Sequence, residues 1–325
     1  MNRRDVLTLL LAGGVVFGTG GRYGAGLDSL SNPLSEIERV AENVAGTATT
    51  GRHLGFDTSK YPGDDAMQAW RDDGSYEWVG YYLPAPCHRD ASWSGKREQL
   101  TQTGWGLAVV YVGQQTWGKT PGQAELVTKY VKRRVRQVKR RHGHAVVSYV
   151  TKRLPMKVLV QPRAEPNSSC STHFVSADRG RNEASDAVAR TQAEGFPAGT
   201  VIFLDVEHMN NVPTAMRDYY KAWTAGVLAD GRYRPGFYAH TANAALIYRD
   251  VKSVYDSLNV TGEPPFWVAG NTAEFAPGKA PSDVGHAFAA VWQGVLDRVE
   301  ERNGHRMPID VSVAALPSPS AALTD

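Results

Sequence analysis

The sequence predicts an α/β fold of the (β/α)8, TIM-barrel-like class, with one large insertion after the third strand. Two observations carry this: eight short apolar runs alternate with helical-period segments, and the interval between them is regular except in one place. A third supports it, because 325 residues with 42% hydrophobic composition suffice for one barrel of roughly 250 residues.

The chain opens with a targeting pattern. Asn2-Arg3-Arg4-Asp5-Val6-Leu7 precedes an apolar run, Leu7 to Phe17, interrupted by Gly13 and Gly14. Paired arginines before a short, glycine-containing apolar stretch resemble a twin-arginine export signal, placed at 1–26, and the run is short for a bilayer span. A cell-wall or extracellular location follows as an expectation, with the export machinery as a partner and a membrane anchor if the signal is retained. Residues 27–52 read as a spacer holding one short helix, Pro33 to Asn43.

Strands are predicted at Leu54–Asp57, Trp78–Leu83, Leu107–Val112, Val201–Val206, Gly236–Ala239, Phe266–Ala269, Ala289–Gln293 and Ile309–Val311. Helices are predicted at Asp64–Arg71, Gly95–Thr103, Glu183–Glu194, Pro213–Ala229 and Ala242–Ser257, each ending near Gly, Asp or Asn. Together they define a barrel over 53–315, followed by a small-residue, proline-rich tail at 316–325 that is expected to be flexible.

The insertion, about 115–182, holds most of the charge asymmetry. Eight of the 36 Lys and Arg residues fall between Lys129 and Arg141, and subtracting them from the formal +3 leaves −5 for the rest. Val127, Val131, Val135 and Val138 fall on one helical stripe, so a basic outer helix is expected there. A hairpin is expected after it, with Ala145–Val150 and Lys157–Gln161 flanking Arg153-Leu154-Pro155. The cations suit an anionic wall polymer or a membrane surface, whereas nucleic acid is not expected as a partner of an exported chain. Cys87 and Cys170 form either one disulfide after export or two separate thiols. No histidine or cysteine spacing suits zinc, and no phosphate loop or dinucleotide fingerprint occurs, so neither metal nor cofactor is expected.

Strand ends converge on one mouth in such barrels. They present Asp57, Asp205 and Glu207, Gln293 and Asp310, with Tyr238 and Trp292 at a similar level. In Val201-Ile202-Phe203-Leu204-Asp205-Val206-Glu207 the two acids are two residues apart, so they point to one side of the sheet. Adjacent carboxylates in a semi-apolar cleft repel when ionised, which raises the proton affinity of one, as glycosidic cleavage needs.

Gly55-Phe56-Asp57-Thr58-Ser59, Leu204-Asp205-Val206-Glu207, Val291-Trp292-Gln293 and Ile309-Asp310-Val311 resemble the glycoside hydrolase family 25 lysozymes. The chain is more similar to an actinobacterial family of exported glycoside-hydrolase-like proteins, through Glu183-Ala184-Ser185-Asp186-Ala187 and Gly195-Phe196-Pro197-Ala198-Gly199-Thr200 ahead of the acidic strand. The resemblance implies Glu207 as general acid, Asp205 as its partner carboxylate, and Asp57 and Asp310 as flanking acids. Asp57 is an alternative nucleophile. Asp310, Gln293, Trp292 and Tyr238 are the expected substrate contacts. The implied partner is a cell-wall glycan, peptidoglycan or another polymer of N-acetylated amino sugars; a silent carbohydrate-binding barrel and a chitinase-like hydrolase are the alternatives.

Overall fold

The computed structural model describes residues 51–122, 124–160 and 168–322. The expected export signal and the helix Pro33–Asn43 lie outside them. Eight strands close a barrel: β1 (His53–Asp57), β2 (Trp78–Tyr82), β3 (Gly106–Tyr111), β6 (Val201–Val206), β7 (Arg234–His240), β8 (Phe266–Ala269), β9 (Ala289–Arg302) and β10 (His305–Ala314). The order around the barrel is β1-β10-β9-β8-β7-β6-β3-β2, and β10 runs antiparallel to both its neighbours. Helices α1 (Asp64–Asp73), α2 (Arg97–Gln102), α3 (Ala177–Ala193), α4 (Thr214–Asp230) and α5 (Thr241–Ser257) fill the intervals. α3 starts six residues before the predicted Glu183, because the Ser176 hydroxyl accepts the Arg179 N–H and caps it.

The barrel is filled with aromatic rings. Trp78 meets Trp267 edge-on at 5.3 Å between centroids, and Phe203 meets the same indole at 5.9 Å. Each indole N–H is satisfied, Trp78 donating to the His53 carbonyl and Trp267 to Ser312 Oγ. Gly55 makes the room, since a Cβ there would lie 2.1 Å from Trp78 Cε2. A second, larger core lies between barrel and helices, with Phe56 against Trp70, Tyr76 and Trp105 on one flank.

Strand eight departs from a helical crossover. β9 and β10 form one long hairpin turning at Asn303-Gly304, both at positive φ (47° and 80°), a two-residue turn of the primed kind. Its arm lies over α1: Trp70 Nε1 donates to the His305 carbonyl, and Tyr76 Oη donates to Glu300 Oε2. The arm thus covers apolar surface that a further helix would cover elsewhere in the ring.

The predicted basic helix is a strand instead. β4 (Glu125–Arg141) pairs antiparallel with β5 (His144–Val160) along all seventeen residues of each, forming a separate two-stranded ribbon. Val127, Val131 and Val135 are spaced by four, which satisfies a period of two as well as a helical stripe. On a helix, Lys132, Arg136 and Arg140 would repel at i,i+4, whereas a strand tolerates this valine-rich run. The turn is at His142-Gly143, both at positive φ (47° and 79°), not at Arg153-Leu154-Pro155. Pro155 sits mid-strand opposite Tyr130, tolerated because both strands of a two-stranded ribbon are edges.

The tail also differs from expectation. Ser318 and Ser320 accept the N–H groups of Leu107 and Val109, while the Ser320 carbonyl accepts the N–H of Val201. Residues 315–322 therefore bridge β3 and β6 instead of hanging free, and Gly106 is needed because a Cβ there would meet the Pro317 carbonyl oxygen at 1.8 Å.

Of the two options for the cysteines, the structure has the disulfide, Cys87–Cys170, with Cα atoms 4.9 Å apart. It joins the loop after β2 to the chain returning from the ribbon. Reduction is expected to cost about 2–4 kcal/mol of stability, read as a drop in denaturation midpoint with and without reductant; an unchanged midpoint would show the link to be dispensable.

Candidate active site

At the end of β1, Asp57 is buried (6% exposed) and holds a four-residue chain of hydrogen bonds. Tyr82 Oη donates to Asp57 Oδ2 at 2.6 Å, Gln293 Nε2 donates to Oδ1 at 2.8 Å, and Tyr238 Oη donates to Gln293 Oε1 at 2.6 Å. Four strands are tied at one mouth by this chain. Its tightest point is at Gly80, where a Cβ would stand 2.7 Å from that of Asp57.

The carboxylates gather around Tyr238. Burial raises its phenol well above the ordinary value, and the charges of Asp205, Glu207, Asp57 and Asp310 raise it further. Tyr82 is raised in the same way, by burial first and then by Asp57 and Asp205. Both phenols are therefore hydrogen-bond donors at neutral pH. All four predicted acids thus share one end of the barrel. Asp310 reaches it although its strand is reversed, because it sits directly opposite Asp57 in the β1–β10 register. One of its oxygens accepts the N–H of Asp297 at 2.6 Å, bracing a bulge where Asp297 has φ 52°.

Asp205 and Glu207 are held by a residue that the sequence reading passed over. Gln115, 2% exposed, donates from Nε2 to the Asp205 carbonyl at 2.7 Å and accepts the Glu207 N–H on Oε1 at 3.1 Å. Its side-chain amide acts as one rung of a neighbouring strand, extending the β6 ladder past the point where β3 has ended. The signal available was only a polar Gln114-Gln115 pair just beyond an apolar strand. Glu207 is half-buried, and its carboxylate takes no hydrogen bond or ion pair from the described residues.

Trp292 is not brought to the mouth. It alternates to the opposite face from Gln293, 1% exposed, packs edge-on against Phe275 at 5.1 Å, and donates its N–H to the Gly270 carbonyl. A neighbouring pocket of about 430 Å³ between the loop after β2 and α3 contains none of the mouth acids. Its Glu183 is spent on structure, accepting from Tyr219, Gln114 and Arg179.

His208 and His240 lie at the mouth with ring centroids 4.6 Å apart. His240 Nδ1 accepts the Ala242 N–H and so caps α5. Burial lowers its pKa, and so, to a lesser extent, does His208; burial also lowers those of His88 and His286. A depressed imidazole is neutral in the fold but protonates in the unfolded chain near the ordinary 6.5, so these groups oppose folding as pH falls below that value. The expected result is a melting temperature that declines from neutral pH toward acid, with imidazole NMR midpoints below 6.5; midpoints above it would contradict the assignment.

Comparison with known proteins gives this barrel a family. The model of the Rv2525c-like, glycoside hydrolase-like domain matches residues 68–314. The chain belongs to that family. Among solved structures, the Rv2525c-like chain is similar to an uncharacterized B. stearothermophilus protein, at 18% identity and TM-score 0.49 over 81% of this chain and 95% of that one. It is also similar to the Mycobacterium tuberculosis Tat-secreted protein Rv2525c in complex with L-tartrate, at 13% identity and TM-score 0.42 over 81% and 94%. A family GH25 lysozyme from Aspergillus fumigatus matches at 10% identity and TM-score 0.40 over 81% and 93%. A comparison with curated proteins finds no match.

Proposed function

We propose that this Rv2525c-like barrel is exported to the cell envelope and there binds and hydrolyses a polymer of N-acetylated amino sugars, peptidoglycan first among them. The observation that carries the reading is Glu207. Its backbone is fixed by Gln115, its carboxylate is uncommitted among the described residues, and it shares the mouth with Asp205, Asp57 and Tyr238. The paired arginines of the first residues and the Cys87–Cys170 disulfide support an extracytoplasmic setting.

Two acids two residues apart on one strand are too close to flank a sugar ring from opposite faces, so an ordinary inverting pair does not fit. In the route proposed, Glu207 gives its proton to the leaving glycosidic oxygen as that bond breaks. The substrate's own acetamido oxygen bonds to the anomeric carbon, and Asp205 orients the acetamido N–H and balances the positive charge that develops. Water then opens the cyclic intermediate, losing its proton to Glu207. Asp57, with both oxygens accepting hydrogen bonds from Tyr82 and Gln293, fits a positioning role better than that of nucleophile.

The test is stereochemical. Chitooligosaccharides and purified peptidoglycan are incubated with the protein and the new anomeric centre is followed by NMR. Retention, with no cleavage of analogues lacking the 2-acetamido group, is the expected result. Inversion, or equal cleavage of those analogues, would eliminate the assisted route.

A further inference from the structure

The β4–β5 ribbon has no barrel residue packed over either face: none of its strand residues is buried. At about 3.4 Å per residue it extends on the order of 55 Å, and a two-stranded sheet with both faces wet is marginal by itself. Its composition says what covers it. It carries eleven Lys and Arg between Lys129 and Lys157, and its one acid, Glu125, sits at the base and pairs with Lys119 at 3.0 Å.

The register sorts the side chains. One face sets Val127 opposite Val158, Val131 opposite Leu154 and Val135 opposite Val150, an apolar spine interleaved with Lys129 and with Arg133 opposite Lys152, and continued by Lys139 and Arg141. The other carries Lys132, Arg134, Arg136 and Arg140 beside exposed Tyr130 and Tyr149 and between the exposed pairs Leu126–Leu159 and Val138–Val147, with the Arg134 guanidinium 5.2 Å from the Tyr149 ring centre.

We infer that the ribbon is a membrane-docking element that lies flat on an anionic lipid bilayer, valine spine toward the acyl chains and cations among the phosphates. Three arguments select this occupant. A soluble polyanion would use the charges but leave the spine wet. A second copy of the ribbon would bring eleven further cations against the first eleven. An anionic leaflet covers the valine spine and neutralises the cations that share its face, and its headgroup zone, about 5–7 Å deep, is comparable to half the roughly 10 Å spacing of stacked sheets. The described segments before and after the ribbon are fastened to each other at the barrel mouth: Thr172 Oγ1 donates to the carbonyls of Gln115 and Thr116, and the Cys87–Cys170 disulfide lies beside them. Docking would therefore hold the mouth close to the lipid surface. None of this depends on turnover at Glu207.

The two native cysteines are bonded to each other, so Leu154→Cys in the full chain supplies a single thiol for an environment-sensitive fluorophore on the spine. The probe used is vesicles of phosphatidylglycerol with phosphatidylcholine, against phosphatidylcholine alone. The expected result is a blue-shifted signal quenched by acyl-chain bromolipids on the anionic vesicles only. Adding Lys129→Gln, Arg133→Gln and Lys139→Gln, which remove cations from the spine face, should weaken that partition on the order of a hundred-fold while the barrel's melting temperature holds. A signal that stays unshifted on anionic vesicles overturns the inference, whether or not the first residues of the chain bind lipid. So does a spine that stays wet while the protein is retained, in a salt-sensitive way, on a polyphosphate or wall-polymer resin.

Discussion

Glu207→Gln is expected to lower glycan hydrolysis by about a thousand-fold, within the range for loss of a general acid, while binding of the same oligosaccharide and the melting temperature stay nearly unchanged. The amide keeps the shape and the backbone N–H to Gln115, and removes only the transferable proton. Asp205→Asn should cost less in the same assay, because it removes charge compensation and not the proton. Measured together by reducing-end release and by calorimetric binding, the two variants separate the readings. If the wild-type protein binds chitooligosaccharides but neither it nor Glu207→Gln releases reducing ends, the barrel is a binding module. A fully active Glu207→Gln protein would remove this residue from the mechanism.

Gly55→Ala is expected to cost about 3 kcal/mol or more. The added carbon would overlap the Trp78 ring at 2.1 Å, and the ring cannot retreat: its N–H is bonded to the His53 carbonyl and its edge meets Trp267. Gly278→Ala, with nothing within 4 Å, is the control and should be close to neutral. Trp78→Leu in the Gly55→Ala background should recover part of the loss by vacating the space. A denaturation midpoint for Gly55→Ala equal to that of wild type would mean that the barrel interior is loosely packed.

The barrel was legible because its strands announce themselves one at a time. Val201-Ile202-Phe203-Leu204 can hardly be anything but a buried parallel strand, and the acids that follow it fall at the mouth by the pleat alone. Asp57 and Asp205 stand at strand ends and Glu207 just beyond one, whereas Gln293, Tyr238 and Asp310 reach the same mouth from within longer strands. The same rule misplaced Trp292, whose neighbour Gln293 takes the inward position. What failed needed partners from elsewhere. Valines spaced by four suit either period, so the ribbon could not be told from a helix without the turn at His142-Gly143. Gln115 matters only because β3 ends before β6 does, a length difference that no local pattern encodes. The role of Ser318 and Ser320 depends on gaps in a ladder more than a hundred residues away.

Strand β10 closes the barrel by pairing with β1 in reverse, His53 against Ala314 through Asp57 against Asp310. The two strands that complete the ring are thus separated by most of the chain, and one of the mouth acids belongs to each. Loop-closure entropy must be met before that pairing returns any stability, so the ring should form late and all at once. A nascent chain that still lacks β10 has neither a closed ladder nor a complete acid cluster. Any activity of the mouth should accordingly appear in refolding experiments with the slowest structural phase, in step with the last strand and not ahead of it.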